Sequence, residues 1–430
     1  MSTEINSRRF YIKTLGCKVN QYESQLVREG LIRNGFQECA ATDIADIYIV
    51  NTCTVTRKAD SESRHLIGLL HRSNPNARIV VTGCYVEKDA DDVSFLPGVA
   101  HIVRNDEKGD IAAIIEGRKA RKKASGRWQT ISDFKDHVKA FIKIQDGCGN
   151  ACSYCKVPLV RGSPRSKPLK YIIEEAGALI KRGFREIALT GICLGAWGED
   201  LSPDAGLLDV LRALEMLEGD FRIRLSSIEP KYVREELVNY IASNKRICPH
   251  LHIPLQSGDD AILSRMGRPY SSGDFMHLVN MVKRIIPDIA ITTDVIVGFP
   301  GESEENFNNT LRLVRETVPA RVHIFPYSRR EGTAASGYKD EVRHEDIVKR
   351  RTAAWVLALE ASYLYRLKFV SKALPVLVET RRDRRTGMLE GYSDNYVKVI
   401  FNGPDSLMGA IADVRIDYMT LSTTVGAIAR

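Results

Sequence analysis

The 430-residue chain is 44% hydrophobic and 27% charged, with a formal net charge of +8. That length provides for two or three domains. Neither a signal peptide nor an apolar run long enough to span a bilayer is recognisable, and nine cysteines, an odd number, argue against a disulfide framework, so a reducing cytoplasm is the expected compartment.

Residues 1–117 read as an α/β domain. Three short apolar runs each end in a cysteine: 10–17 closes on Cys17, 47–53 on Cys53 and 79–84 on Cys84. Such runs predict buried strands of a parallel sheet, and the segments 22–34 and 59–72 between them carry a helical period. Three βα units bring the strand ends to one sheet edge, where ligands gather in open α/β folds. Three unrelated core thiols are the alternative, since cysteine is among the most buried residues. Equivalent strand ends in all three cases favour a shared site. Residues 118–137 form a basic linker, densest from Arg118 to Arg127. It reads equally as a solvated connector and as chain lying beside nucleic acid.

From 138 to 368, six strand candidates (141–145, 186–191, 221–227, 250–255, 290–298 and 321–327) alternate with amphipathic segments such as 171–181, 233–242, 275–285 and 304–315. Six βα units predict an open, partial (β/α)6 barrel with its active site at the carboxyl ends of the strands. Cys148, Cys152 and Cys155 directly follow the first strand. Cys-x3-Cys-x2-Cys is neither the paired spacing of structural zinc nor the four-cysteine run of a ferredoxin. Three thiolates leave one iron of a 4Fe-4S cluster open to a small molecule, and the scattered triplet in the first domain leaves a second cluster equally short. Strand ends supply further cofactor-binding candidates: Thr190 and Gly191, Ser227 and Glu229, Gln256, and Val297. Tyr154 precedes the last cluster cysteine, while Arg161 and Arg165 are suited to a carboxylate or phosphate. Cys39, Cys193 and Cys248 read as core thiols, although Cys193 stands at a strand end.

Residues 369–430 change character. Short strands at 374–380, 388–392, 396–401, 411–416 and 422–428 predict a small antiparallel β-barrel. Its first turn carries Arg381, Arg382, Arg384 and Arg385, a cationic tip suited to RNA phosphates or, more plainly, a charged hairpin end.

With these motifs in place, the chain resembles the radical S-adenosylmethionine methylthiotransferases over nearly its whole length. The tail is similar to that family's TRAM-like RNA-binding barrel. Gly16-Cys17-Lys18-Val19-Asn20-Gln21-Tyr22-Glu23-Ser24, Asn51-Thr52-Cys53-Thr54-Val55-Thr56 and Gly83-Cys84-Tyr85 resemble the branch acting on N6-threonylcarbamoyladenosine (t6A) at tRNA position 37. The isopentenyladenosine branch typically has Gln-Met after the first cysteine, and the ribosomal-protein branch Pro-Lys-Asn. Gly191-Ile192-Cys193 departs from the relatives, which more often carry Asn or His at the third position. The resemblance implies two 4Fe-4S clusters and S-adenosylmethionine. A 5′-deoxyadenosyl radical would remove hydrogen from adenine C2, and a methylated sulfur on the second cluster would be transferred there. It also implies an anticodon stem-loop as partner, an electron donor such as flavodoxin or ferredoxin, a sulfur donor, and a monomer. The competing readings are the same chemistry on isopentenyladenosine or a ribosomal protein, and a non-catalytic iron–sulfur RNA-binding protein, which would need four ligands per cluster.

Overall fold

The computed structural model describes residues 8–40, 43–118 and 128–429; positions 119–127 of the basic run lie outside the described residues. Strands β1 (Arg9–Thr14), β2 (Gln37–Glu38), β3 (Ile47–Thr52), β4 (Arg78–Gly83) and β5 (Val99–Val103) form one parallel sheet ordered β2-β1-β3-β4-β5. Helices α1 (Lys18–Arg33), α2 (Arg57–Ser73), α3 (Ala90–Ser94) and α4 (Ile111–Ile115) complete the domain. The core lies on both sheet faces. Phe10, Ile12, Ile47, Ile49 and Val80 pack on Val27, Leu31 and Ile111, whereas Tyr48, Val50, Ile79 and Val81 pack on Ile67 and Tyr85. Burial on both faces is why β3 is apolar nearly throughout rather than alternating.

The central domain carries β6 (Lys139–Lys143), β9 (Glu186–Thr190), β10 (Arg222–Leu225), β11 (His250–His252), β12 (Ala290–Val297) and β13 (Arg321–Pro326). A short pair, β7 (Gln145–Asp146) with β8 (Arg165–Ser166), and helix α5 (Val157–Arg161) flank the cysteine loop. The parallel sheets β10-β9-β6 and β11-β12-β13 meet through the bridges Ile223–Ile247 and Ser227–His252. They make one six-stranded arc, the partial barrel expected. Helices α6 (Leu169–Lys181), α7 (Leu207–Glu215), α8 (Glu235–Ser243), α9 (Asp260–Arg265), α10 (Ser272–Ile285) and α11 (Glu304–Thr317) surround it.

The first domain spans the gap between the arc's two edges. Helix α1 packs on β6. Beyond β13, Arg330 pairs with Asp60 at 2.6 Å and donates to Thr54 Oγ1 at 2.7 Å. A 24-residue helix, α12 (His344–Leu367), then leads to the last domain. There β14 (Ala373–Arg382), β15 (Leu389–Ser393), β16 (Lys398–Phe401), β17 (Ile411–Met419) and β18 (Thr424–Ile428) close a barrel ordered β14-β15-β16-β18-β17. The expectation of a purely antiparallel barrel needs one amendment: β16 and β18 pair in parallel. A closed ring of five strands cannot alternate direction all the way round, so at least one neighbouring pair must run parallel.

Candidate functional site

Cys17 lies beyond β1 and immediately precedes α1, while Cys53 and Cys84 directly follow β3 and β4, all along the carboxyl edge of the first sheet. Cys17 is exposed at the amino end of α1, while Cys53 and Cys84 are buried. Glycines set the close approach. Gly16 adopts φ 93°, and a Cβ there would lie 2.8 Å from Cys53 Sγ; Gly83 adopts φ 103°, and a Cβ would lie 2.3 Å from the Thr52 carbonyl oxygen. Only glycine combines that backbone with that space. Burial, opposed by an N–H from Val55, pushes the Cys53 thiol up to about 11, with Cys84 and Cys17 as its electrostatic neighbours. The scattered triplet is therefore one cluster of thiols in space.

Cys148, Cys152 and Cys155 gather in the loop after β6 and β7. Gly147, at φ 73°, lies against Ser163 with no room for a side chain. Gln145 pins the loop to the end of β9: its Nε2 donates to the Asp146 and Gly147 carbonyls, and its Oε1 accepts from Cys193 N at 2.8 Å. The Cys193 thiol donates to Cys148, which it draws down to about 6 with help from the Asn150 N–H. Burial pushes Cys155 up to about 12.

N–H donors aimed at sulfur test whether these sites fit thiolate-ligated clusters. Asn150 N approaches Cys148 Sγ at 3.4 Å, Arg268 Nη1 approaches Cys152 Sγ at 3.1 Å, and Arg161 Nε approaches Cys84 Sγ at 3.1 Å. Donors and positive charge directed at sulfur stabilise anionic thiolate ligands and tune a cluster. Among the described residues, the one thiol besides these six that bonds a member of either triplet is Cys193, beside Cys148. Both sites fit three-thiolate cluster binding.

Arg161 joins the two. It ends the short helix α5 just beyond Cys155, yet its guanidinium turns to the other triplet, bonding Cys84, Asn20 Oδ1 at 2.6 Å and both oxygens of Glu23. Its donors are taken and its side chain is 1% exposed, so it does not offer itself to a free cofactor carboxylate as the sequence led us to expect. Arg165 is half exposed, 3.8 Å from Asp146. Glu229 is held by Arg268. Thr190, Gly191, Ser227, Gln256 and Val297 stand at or beyond the ends of β9 to β12, with Gln256 in a left-handed backbone at φ 67°. Tyr154 packs edge-on to Phe299, their centroids 6.5 Å apart. In the last domain, Arg381, Arg384 and Arg385 are exposed at the β14–β15 turn, whereas Arg382 is committed to Asp405 and the carbonyls of Gly387 and Gly403.

Sequence reasoning overlooked Arg268 and the polar set around Glu23. Arg268 follows a helix-ending Gly267 with no motif around it. The Glu23 partners Lys108, Lys143 and Arg161 come from separate elements.

Residues 9–104 match the uncharacterized protein family UPF0004, and residues 142–314 match the radical SAM superfamily. The chain is 38% identical to a threonylcarbamoyladenosine tRNA methylthiotransferase of Thermotoga maritima, covering 95% of this chain and 94% of that one. It is 36% identical to its counterpart in Bacillus subtilis, at 94% and 92% coverage. A tRNA-2-methylthio-N(6)-dimethylallyladenosine synthase of Thermotoga petrophila is 31% identical over 98% of this chain and 97% of its own. Among solved structures, a radical S-adenosylmethionine methyltransferase of Kitasatospora setae shares the fold at TM-score 0.57 and 15% identity, covering 76% of this chain and 77% of that one.

Proposed function

Since the chain belongs to the radical S-adenosylmethionine methylthiotransferases of tRNA, we propose that it converts t6A at position 37 to its 2-methylthio derivative. Near-full-length similarity to the threonylcarbamoyladenosine enzymes carries this reading. The dimethylallyladenosine synthases match at lower identity, and the two thiol triplets, linked through Arg161, supply the chemistry's framework.

We assign one 4Fe-4S cluster to Cys148, Cys152 and Cys155 and a second to Cys17, Cys53 and Cys84. When bound, these clusters with S-adenosylmethionine supply a carbon radical able to take the hydrogen from adenine C2, and a methylated sulfur to replace it. The chain's own groups hold that arrangement. Arg268, anchored by Glu229, donates to Cys152; Arg161, anchored by Glu23, donates to Cys84. Gln145 fixes the cysteine loop against β9. S-adenosylmethionine is assigned to the strand ends carrying Thr190, Gly191, Ser227, Gln256 and Val297, above the Tyr154–Phe299 pair, with half-exposed Arg165 at the rim. The target base sits in a single-stranded loop and is drawn out of it at modest cost. An external electron donor, flavodoxin or ferredoxin, and a sulfur donor complete the cycle in a reducing cytoplasm. Among the described residues no helix is long and apolar enough to cross a membrane.

Arg381, Arg384 and Arg385 are assigned to RNA phosphates, with Arg382 holding the turn. Replacing those three by Ala should weaken tRNA binding and reduce the slope of log K against log salt by about two to three units, with sequence preference unchanged. An unaltered salt slope would remove the tip from the interface.

The functional test is direct. Anaerobically reconstituted enzyme, S-adenosylmethionine, a low-potential reductant and t6A-bearing tRNA are incubated together, and the nucleosides are analysed by mass spectrometry. The expected product is t6A with one methylthio group in place of hydrogen. Unchanged t6A beside modified isopentenyladenosine tRNA would reject the assignment.

A further inference from the structure

Within the barrel, strands β11 to β13 turn alternate residues away from the helical layer. Leu251, Ile291, Val295, Val322 and Ile324 belong to the core beneath the helices. The residues between them face the lumen, as their contacts with one another show. His252 Nδ1 lies 2.9 Å from Thr292 Oγ1 and its Nε2 lies 3.1 Å from Asp294 Oδ2. The rings of His252 and His323 are 5.9 Å apart.

Lys18 enters this space from the first domain, its Nζ 6.0 Å from the Phe141 ring centre on β6. Among the described residues no carboxylate lies within ion-pair distance of it. The nearby carboxylates are engaged elsewhere: Glu186 is held by Arg222 and Arg224, and Asp294 by His252. The lumen is consequently electropositive. Burial lowers His323, and Arg321, His252 and Lys18 lower it further against the pull of Asp294. His250 is lowered by burial and then by Arg224 and Lys18.

An uncompensated, sheltered cation is costly unless an anion meets it. Lys18 also directly follows Cys17, and its charged neighbours are Lys139, Arg224 and Glu186 toward the amino ends of β6, β10 and β9, so such an anion would lie in the lumen below the carboxyl edge that carries the thiol triplets. In adenine, C2 and the N6 substituent flank N1 on one edge of the base. A base that offers C2 to the clusters must therefore send its N6 chain to a neighbouring wall. That chain ends in a carboxylate in t6A. We propose that Lys18, with His323 beside it, binds the carboxylate of the threonylcarbamoyl group and thereby determines which N6-modified adenosine is accepted. The inference rests on the t6A reading of the substrate. His252, Asp294 and His323 also place their ligand atoms within 4.8 Å of one another. The surrounding Lys18 and Arg321 disfavour a divalent cation there.

The test uses the reconstituted full chain and synthetic anticodon stem-loops carrying either t6A or its carboxamide, with Kd and kcat/KM measured for both. Wild type should prefer the acid by about ten- to a hundredfold, since a site built around a charged partner rejects the analogue that lacks it. Lys18→Gln should abolish that preference while keeping its iron, and Lys18→Arg should restore part of it. A preference that survives in Lys18→Gln overturns the proposal. Should Lys18→Gln lose iron, His323→Gln decides: a narrowed preference supports the pocket, and an unchanged one overturns it. Stoichiometric zinc or manganese bound by wild type and lost in His323→Gln would replace the anion site by a metal site. Wild type that modifies isopentenyladenosine but not t6A defeats the substrate assignment itself, and the carboxylate pocket with it.

Discussion

Glu23→Leu should be the most damaging single substitution at the domain junction, lowering stability by about 3–5 kcal/mol. Its carboxylate, 4% exposed, is shared by Arg161, Lys108 and Lys143, with Lys143 Nζ at 2.8 Å. Removing it leaves Arg161 and Lys143 with Asp146 as their remaining carboxylate, and Lys108 with only the Asn51 amide oxygen among the described residues. Burial by itself would raise the Glu23 pKa, but Arg161, Lys108 and Lys143 hold it well below the usual carboxylate range. A depressed pKa gives stability that is fully present above the unfolded value of about 4.3 and is lost as pH falls from there toward the folded value. Chemical denaturation of Glu23→Gln should therefore show a lower midpoint at neutral pH and a shallower decline into acid than wild type. Parallel acid profiles for the two proteins would show that the carboxylate is not what ties these elements together. Because Arg161 also donates to Cys84, the same variant should bind iron less firmly at Cys17, Cys53 and Cys84.

Arg224→Leu is expected to loosen the C-terminal barrel from the floor of the radical domain. Arg224 bonds Glu186 through Nε and Nη2 at 2.8 and 2.9 Å and reaches the Asp394 and Ser393 carbonyls at 2.8 and 3.0 Å. Arg222 makes the parallel set, from Glu186 to the carbonyls of Pro375 and Tyr392. Burial alone would raise the Glu186 pKa, yet the two guanidiniums pull it well below the carboxylate range. Leaving that buried carboxylate with Arg222 alone, and the Asp394 carbonyl without its guanidinium donor, should cost about 3–5 kcal/mol. Limited proteolysis reads it out: cleavage near residues 368–372 should become fast in the variant and stay slow in wild type. Equal cleavage rates would mean that the barrel is held by other contacts. Under the RNA role proposed for Arg381, Arg384 and Arg385, tRNA affinity should fall in step, since that tip would no longer be fixed relative to the cysteine triplets.

The six cysteines were legible because each ends or follows an apolar strand and three are preceded by glycine, a pattern that survives without knowledge of neighbours. The barrel's strands were legible for the same reason, from Phe141 to Ile324. What holds the domains together was not. Asn20, Glu23, Ser24 and Gln25 are all buried on α1, so that helix shows polar residues where periodicity expects a solvated face. Their partners lie as far as 141 positions away. Helix α12 escaped notice because its buried positions, Arg350, Ala354, Leu357, Ala358, Ala361, Tyr365 and Arg366, mix charged and small side chains with only two large ones and so produce no apolar stripe. The parallel β16–β18 pair follows from ring closure, which no local pattern records.

The most direct measurement is iron and acid-labile sulfide content, with EPR, of the anaerobically reconstituted chain beside two triple alanine variants. One lacks Cys17, Cys53 and Cys84; the other lacks Cys148, Cys152 and Cys155. Two independent clusters require about eight irons in wild type and about four in each variant. About four irons in wild type, or none in either variant, would contradict a two-cluster enzyme.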